Sequence, residues 1–123
     1  MYNTIMVYFI LGRILLGGYF LMNGYNHFKN RVMLADYAHA KSVFMPKGSV
    51  LLTGLMLTLG GVGILFWVYV RVAIAILVIF LAVVTFKMHR YWKISDPMMR
   101  MSERVNFYKN LALLGALLLL IRL

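Results

Sequence analysis

Long apolar runs, each interrupted by a single charge, dominate the pattern of hydrophobic and polar positions. The first covers residues 5–22 and is interrupted by Arg13. The second, residues 50–86, would form a helix of about 55 Å, nearly twice the roughly 30 Å of bilayer hydrocarbon. It must therefore fold back, and the position of Arg71 places the turn near 67–71. The pattern predicts membrane crossings over about 5–26, 49–69 and 72–87.

The C-terminal stretch carries a clear signal for the start of a helix. Asp96 is a good N-cap, and Pro97 suits the first helical position. No glycine or further proline follows until Gly115, and the chain then ends in a leucine-rich run. These features predict one helix with an interfacial first part over 97–104 and a fourth crossing over about 105–121.

The segment between the first two crossings, residues 26–47, is polar and is predicted to be a loop. Within it, residues 37–44 fit a short interfacial helix, which Pro46 and Gly48 would end. Four crossings with short connections predict an all-α membrane protein, an antiparallel four-transmembrane-helix bundle that forms one domain over 1–123.

Composition supports a membrane protein. Hydrophobic residues make up 63% of the chain and charged residues 13%, against roughly 45–50% and 25% in soluble domains. A soluble chain of 123 residues would not bury that much apolar surface. The chain has no cysteine, which excludes a thiolate nucleophile and an iron–sulfur cluster held by its own cysteines.

Charge is strongly unbalanced, with 13 lysines and arginines against 3 acids. The basic residues flank the apolar runs, a distribution that indicates loop orientation and anionic lipid and not nucleic acid. The positive-inside rule places the loops 27–48 and 88–104 inside and both termini outside. The same residues would also suit an anionic substrate, and they would then report function instead of topology.

Arg13 is the first residue that does not suit lipid. It lies about 12 Å from the start of its crossing and about 20 Å from the end, which predicts a position near the midplane. An arginine there costs at least roughly 2.5–3.5 kcal/mol on insertion scales. Arg13 shares one helical stripe with Gly17, Phe20, Gly24 and His27. Either Arg13 caps carbonyl groups where helices pack closely, or it binds a ligand.

Asn106, Lys109 and Asn110 form a second polar group, on the last helix. With both basic loops on one side, this group would meet other polar side chains there: His27, His89, Trp92, Asp96, Arg100 and Glu103. The predicted ligand-binding residues are Arg13, Gly17, Gly24, His27, His89, Trp92, Asp96, Lys109 and Asn110, with no catalytic residue assigned. The three histidines lack metal-ligand spacing, so no metal, haem or flavin site is predicted.

Two motifs resemble the DoxX family of small four-helix membrane proteins. The first is GRILLGGYFLMNGYNHF, and the second combines HRYWKISDP with ERVNFYKNLALLGALLLL. The matching positions are Arg13, Leu16, Gly17, Phe20, Gly24, Phe28, His89, Trp92, Asp96, Pro97, Phe107, Lys109, Asn110 and Gly115. The resemblance implies a prokaryotic cytoplasmic (inner) membrane protein and a link to sulfur oxidation, since the name-giving members are subunits associated with thiosulfate:quinone oxidoreduction and terminal quinol oxidase.

Three functions fit these residues, and whether the chain is itself an enzyme stays open. In the first, it is a membrane subunit of a quinone-linked oxidoreductase, in which Arg13 binds a quinone carbonyl and His89, Lys109 and Asn110 line the approach. In the second, it is a non-enzymatic anchor that assembles redox or stress-response partner proteins on its basic loop face. In the third, it binds or carries a lipid or small anion. A homo-oligomer is compatible with each.

Overall fold

The computed structural model describes residues 2–122, and this part of the chain is helical without strands. The helices are α1 (Tyr2–Lys29), α2 (Arg31–Ala40), α3 (Pro46–Phe66), α4 (Val70–Met88) and α5 (Pro97–Leu120), with a 3-10 turn at Tyr91–Lys93. Three segments are long and apolar enough to cross a membrane, namely Asn3–Lys29, Pro46–Phe66 and Val70–Lys93. They correspond to the first three predicted crossings. The first half of α5 carries several charges, and α5 is not among these segments.

The predicted fold-back between the second and third crossings is confirmed. α3 ends at Phe66 and α4 begins at Val70, so three residues make the connection. Trp67 and Tyr69 adopt left-handed backbone conformations, with φ of 56° and 46°. A left-handed residue after the last helical turn lets the following N–H groups bond back to free carbonyls. Here the N–H groups of Trp67 and Val68 both donate to the carbonyl oxygen of Gly63.

The segment predicted as a loop is more helical than expected. α1 continues to Lys29, and the short helix is Arg31–Ala40 instead of 37–44. Pro46 was expected to end that helix, but it is the first residue of α3. The physical reason is that the first turn of a helix does not use its N–H groups, so proline is well tolerated there.

The predicted start of the last helix is confirmed. α5 begins at Pro97, and the Asp96 carboxylate accepts a hydrogen bond from the Met99 N–H at 3.0 Å. This cap satisfies one of the free N–H groups of the first turn.

α1 and α3 pack closely and antiparallel through glycines. Gly17 lies against Gly61 and Leu65, whereas Gly24 lies against Gly54 and Thr58, so the contacts advance along α1 and retreat along α3. α3 also packs against α4, and α4 against α5. The core between these helices consists of the buried side chains Phe20, Leu57, Ile64, Ile74, Leu77, Phe80, Leu81 and Leu117.

Candidate functional site

A cavity of about 540 Å³ lies between α1, α3, α4 and α5. Its lining comes from the second half of α1, the first half of α3 and the second half of α4, so it lies toward the end where the two basic loops meet. Part of that end is lined by three residues of α2, namely Leu34, Tyr37 and Ala38. The walls are largely apolar, with Phe20, Met56, Ile79, Val83 and Leu113 as representative members.

The polar edge of the cavity brings together residues from both predicted groups. His27, His89, Lys109 and Asn110 all line it. Asn110 is buried, His27 and His89 are half-buried, and Lys109 is exposed. The Lys109 ammonium lies 5.7 Å from the centre of the Tyr19 ring, a distance at which a cation–π attraction operates. Apolar walls with a few convergent polar groups are typical of a small-molecule site.

Both cavity histidines are held through Nδ1. In His27 this atom lies 2.8 Å from the carbonyl oxygen of Asn23, one turn earlier on α1. In His89, just beyond the end of α4, it lies 3.3 Å from Oε1 of Glu103. A hydrogen-bond partner on Nδ1 fixes the orientation of the imidazole ring and leaves Nε2 available to a ligand.

Glu103 is the centre of a buried polar cluster beside the cavity. Its carboxylate accepts hydrogen bonds from the Tyr37 hydroxyl at 2.8 and 2.9 Å and from the Asn106 amide at 3.1 Å. It also pairs with the Lys41 ammonium at 2.9 Å and with His89 at 3.3 Å. The cluster therefore ties the first loop, through Tyr37 and Lys41, to the end of α4 and to α5.

The environment of Glu103 favours its charged form. Burial by itself would raise the pKa of this carboxyl group, but the hydrogen bonds from Lys41, Tyr37 and Asn106 together outweigh burial and lower the pKa below its ordinary value. Burial also raises the pKa of the Tyr37 phenol, and the adjacent Glu103 carboxylate adds to that effect. At neutral pH the cluster therefore consists of an ionised acceptor surrounded by donors.

Arg13 lies away from the cavity. Its guanidinium donates two hydrogen bonds, of 2.9 and 3.2 Å, to the carbonyl oxygen of Leu65, and it lies 5.4 Å from the centre of the Phe9 ring. Leu65 is the last but one residue of α3, so the Arg13 guanidinium lies at an end of that helix, although Arg13 itself lies near the middle of α1. Capping a free carbonyl where the helix dipole is negative is the role that this geometry shows.

Four other residues that the sequence selected do not line the cavity, namely Gly17, Gly24, Trp92 and Asp96. The two glycines form the contact between α1 and α3, and Asp96 caps α5. Trp92 is half exposed and packs edge-on against Phe107 at 5.3 Å. Each of these positions has a packing or capping role in the structure.

The sequence interpretation missed part of the polar cluster. Glu103 was expected on the loop side but was not selected as a site residue. Tyr37 and Lys41 were treated only as parts of the first loop, and the cavity residues Asn23 and Asn26 were not considered. The sequence did contain a signal for Glu103. The chain has only 3 acidic residues against 13 lysines and arginines, and Glu103 is the acidic residue that precedes the last apolar run. Within residues 2–122, no group of three or more metal-ligating side chains comes together.

Comparison with known proteins places the chain in a family. The family model described as DoxX matches residues 8–90, which is more than half of the chain. The match includes the glycine stripe of α1, the cavity residues of α1, α3 and α4, and His89, but ends before the α5 motif of 107–115. No curated protein and no solved structure matches. With its three candidate membrane-spanning helices, the chain belongs to the DoxX family of membrane proteins.

Proposed function

We propose that this protein is the quinone-binding membrane subunit of a thiosulfate- or sulfur-oxidising enzyme, and that the quinone binds in the cavity between α1 and α5. The observation that carries the proposal is the cavity itself, which combines apolar walls with the polar edge of His27, His89, Lys109 and Asn110. A quinone has the same division, with an apolar tail and polar oxygens on the ring. The proposal moves the site from Arg13, where the sequence suggested it, to this edge.

The volume of the cavity supports a small amphipathic ligand. Ligand sites in proteins measure roughly 300–1,000 Å³, and about 540 Å³ lies within that range. Met56, Ile79 and Leu113 would contact the apolar part of the ligand, whereas Lys109 and Asn110 offer donors to its oxygens. The Asn110 amide at this edge offers a donor and an acceptor to the oxygens of a ligand.

The reaction has a simple balance. Two thiosulfate ions join through a new S–S bond to form tetrathionate, and the two electrons released, with two protons from water, convert the quinone into hydroquinone. The chain contains no cysteine, so its own side chains do not carry these electrons. They pass directly from the sulfur substrate or through a partner subunit, and this chain binds and orients the quinone.

The same proposal includes the topology. Residues of both basic segments, Lys41 and His89, meet at Glu103, so loops 27–48 and 88–104 belong to one side of the bundle. We place that side in the cytoplasm of a prokaryotic cell by the positive-inside rule, with both termini outside. α5 then crosses the membrane over about 105–121 and completes an antiparallel four-helix bundle.

Binding of a short-tailed quinone to the purified protein in nanodiscs tests this proposal. Leu113→Trp fills the cavity and is expected to weaken binding at least tenfold, because the indole occupies the space of the ligand. Leu118→Trp, on the exposed face of the same helix, is the matched control and leaves the affinity unchanged. Arg13→Gln is also expected to bind normally. No binding by the wild type, or binding lost only in Arg13→Gln, would contradict the proposal.

A second function, the membrane anchor, is favoured by one observation. Lys93, Arg100 and Arg104 are all exposed near the start of α5, at the end of the molecule that carries the basic loops. Such a patch suits an acidic partner protein. Two results together would favour this function over the first. A protein co-purifies with the wild type but not with a variant in which all three residues are changed to glutamate, and the wild type binds no quinone.

A further inference from the structure

The hydrogen-bond partners of the two cavity histidines determine which ring nitrogen carries the proton. The partner of His27 Nδ1 is the backbone carbonyl oxygen of Asn23, at 2.8 Å. A carbonyl oxygen only accepts hydrogen bonds, so Nδ1 of His27 must be the donor. In the neutral imidazole, Nε2 then has a free lone pair and acts as an acceptor.

The partner of His89 leads to the same result. Oε1 of Glu103, at 3.3 Å from Nδ1, also accepts from Tyr37 and Asn106, and the other oxygen pairs with Lys41. An ionised carboxylate has no proton to give, so Nδ1 of His89 is the donor. Among the side chains of residues 3–122 and the described backbone, neither Nε2 atom has a hydrogen-bond partner, and both histidines line the cavity.

We infer that the cavity recognises the reduced form of its ligand, a hydroquinone, whose ring hydroxyl groups donate to Nε2 of His89 and His27. This inference rests on the proposed function and specifies the redox form that binds best. A quinone carbonyl only accepts hydrogen bonds and therefore faces the Nε2 lone pairs without a proton between them. A hydroxyl group donates to them and still accepts from Lys109.

The other polar residues of the cavity do not make this distinction. Lys109 donates to a carbonyl or a hydroxyl oxygen alike, and the Asn110 amide both donates and accepts. Among the four residues of the polar edge, only the histidines discriminate, and Glu103 acts as a positioning residue because it holds the His89 tautomer. In Glu103→Gln the new amide is able to donate as well as accept, so both tautomers of His89 become available.

A preference for hydroquinone has a consequence for the proposed reaction. An ordinary hydrogen bond changes affinity by about fivefold, so two histidines give a preference of about tenfold or more. Tighter binding of the reduced form raises the reduction potential of the bound quinone. For a two-electron couple, tenfold corresponds to about 30 mV. The bound quinone thus becomes a better oxidant toward a weak reductant such as thiosulfate.

The test compares the affinities of one short-tailed compound in its hydroquinone and quinone forms, under anaerobic conditions, for the intact protein in nanodiscs. The wild type is expected to bind hydroquinone at least tenfold more tightly. His89→Leu lowers this preference by about fivefold, the share of one histidine. His89→Gln restores part of it because the amide oxygen accepts, and Glu103→Gln reduces it. His39→Leu, an exposed histidine on α2, is the matched control and leaves it unchanged.

Nitrogen-15 chemical shifts of histidine provide a measurement on the unmodified protein. Protonated Nδ1 and unprotonated Nε2 are expected for His27 and His89, and the opposite tautomer would overturn the inference. Equal affinity of the wild type for the two redox forms, or a full preference in the His27→Leu, His89→Leu double variant, would also overturn it while the proposed function stands. Failure of the wild type to bind either form would overturn the proposed function, and the inference with it.

Discussion

Replacing Glu103 by glutamine is expected to lower the free energy of unfolding in mild detergent by about 2–3 kcal/mol. The carboxylate side chain is only 8% exposed and has Lys41 as its ion-pair partner. The variant keeps the shape but leaves that ammonium without its counter-charge and gives the Tyr37 hydroxyl a weaker acceptor. Because these contacts tie α2 to α5, we expect α2 to detach first.

The same cluster predicts a dependence of stability on pH. The folded state lowers the pKa of Glu103 below its ordinary value of 4.5, so the unfolded chain binds a proton more readily than the folded one. The stabilisation is therefore complete above about pH 4.5 and is lost as the pH falls through the lower folded-state pKa. The free energy of unfolding of the wild type, measured from detergent unfolding curves, is expected to fall as the pH is lowered through this range. That of Glu103→Gln is expected to fall less.

Asp96→Asn is the matched control for Glu103→Gln. It neutralises a carboxylate on the same stretch of chain, but Asp96 is exposed and caps α5 through one hydrogen bond. Asparagine caps helices about as well as aspartate, so little change is expected. Equal stability losses in the two variants would show that Glu103 contributes no more than a surface charge.

Gly17→Ala is expected to destabilise the protein by about 1–3 kcal/mol through overpacking. A Cβ atom at this position would lie 2.8 Å from the Leu65 backbone nitrogen and 2.9 Å from the Gly61 carbonyl oxygen. Both obstacles are backbone atoms of α3, so no side chain can rotate out of the way. α1 and α3 must separate, and the cavity that they share with α4 and α5 changes shape.

Gly18→Ala is the control for this variant. A Cβ atom at Gly18 meets nothing within 4 Å, and alanine favours the helix by roughly 0.5–1 kcal/mol over glycine. Unfolding in a denaturing detergent series measures both variants. We expect opposite signs for Gly17→Ala and Gly18→Ala, and two equal, small changes would contradict the close contact between α1 and α3.

Local signals in the sequence were sufficient for several parts of the fold. The length of the second apolar run required a turn near Trp67, and Asp96 with Pro97 defined the start of α5. These predictions depend on hydrophobic length and capping, which act over a few residues. Pro46 could not be placed from such signals, because proline suits both the end of one element and the start of the next. It was predicted to end a short helix, but it is the first residue of α3.

The candidate site was only partly predictable, because it depends on contacts between distant segments. His27, His89, Lys109 and Asn110 were selected for being polar beside apolar runs, and the structure brings them to one cavity. Arg13 was selected for the same reason, but its partner is a carbonyl 52 positions away. The periodicity of α1 does not indicate which carbonyl group of α3 lies opposite the Arg13 guanidinium.

Photolabelling with a short-tailed hydroquinone that carries a diazirine on its ring tests the central claim most directly. The protein in nanodiscs is irradiated, digested and mapped by mass spectrometry. Labels are expected on the cavity-lining parts of α1 and α5, residues 19–27 and 109–113, and unlabelled hydroquinone is expected to suppress them. Labels beside Arg13 and Leu65, or labels spread over the outer helix faces and insensitive to competition, would contradict a ligand site in the cavity.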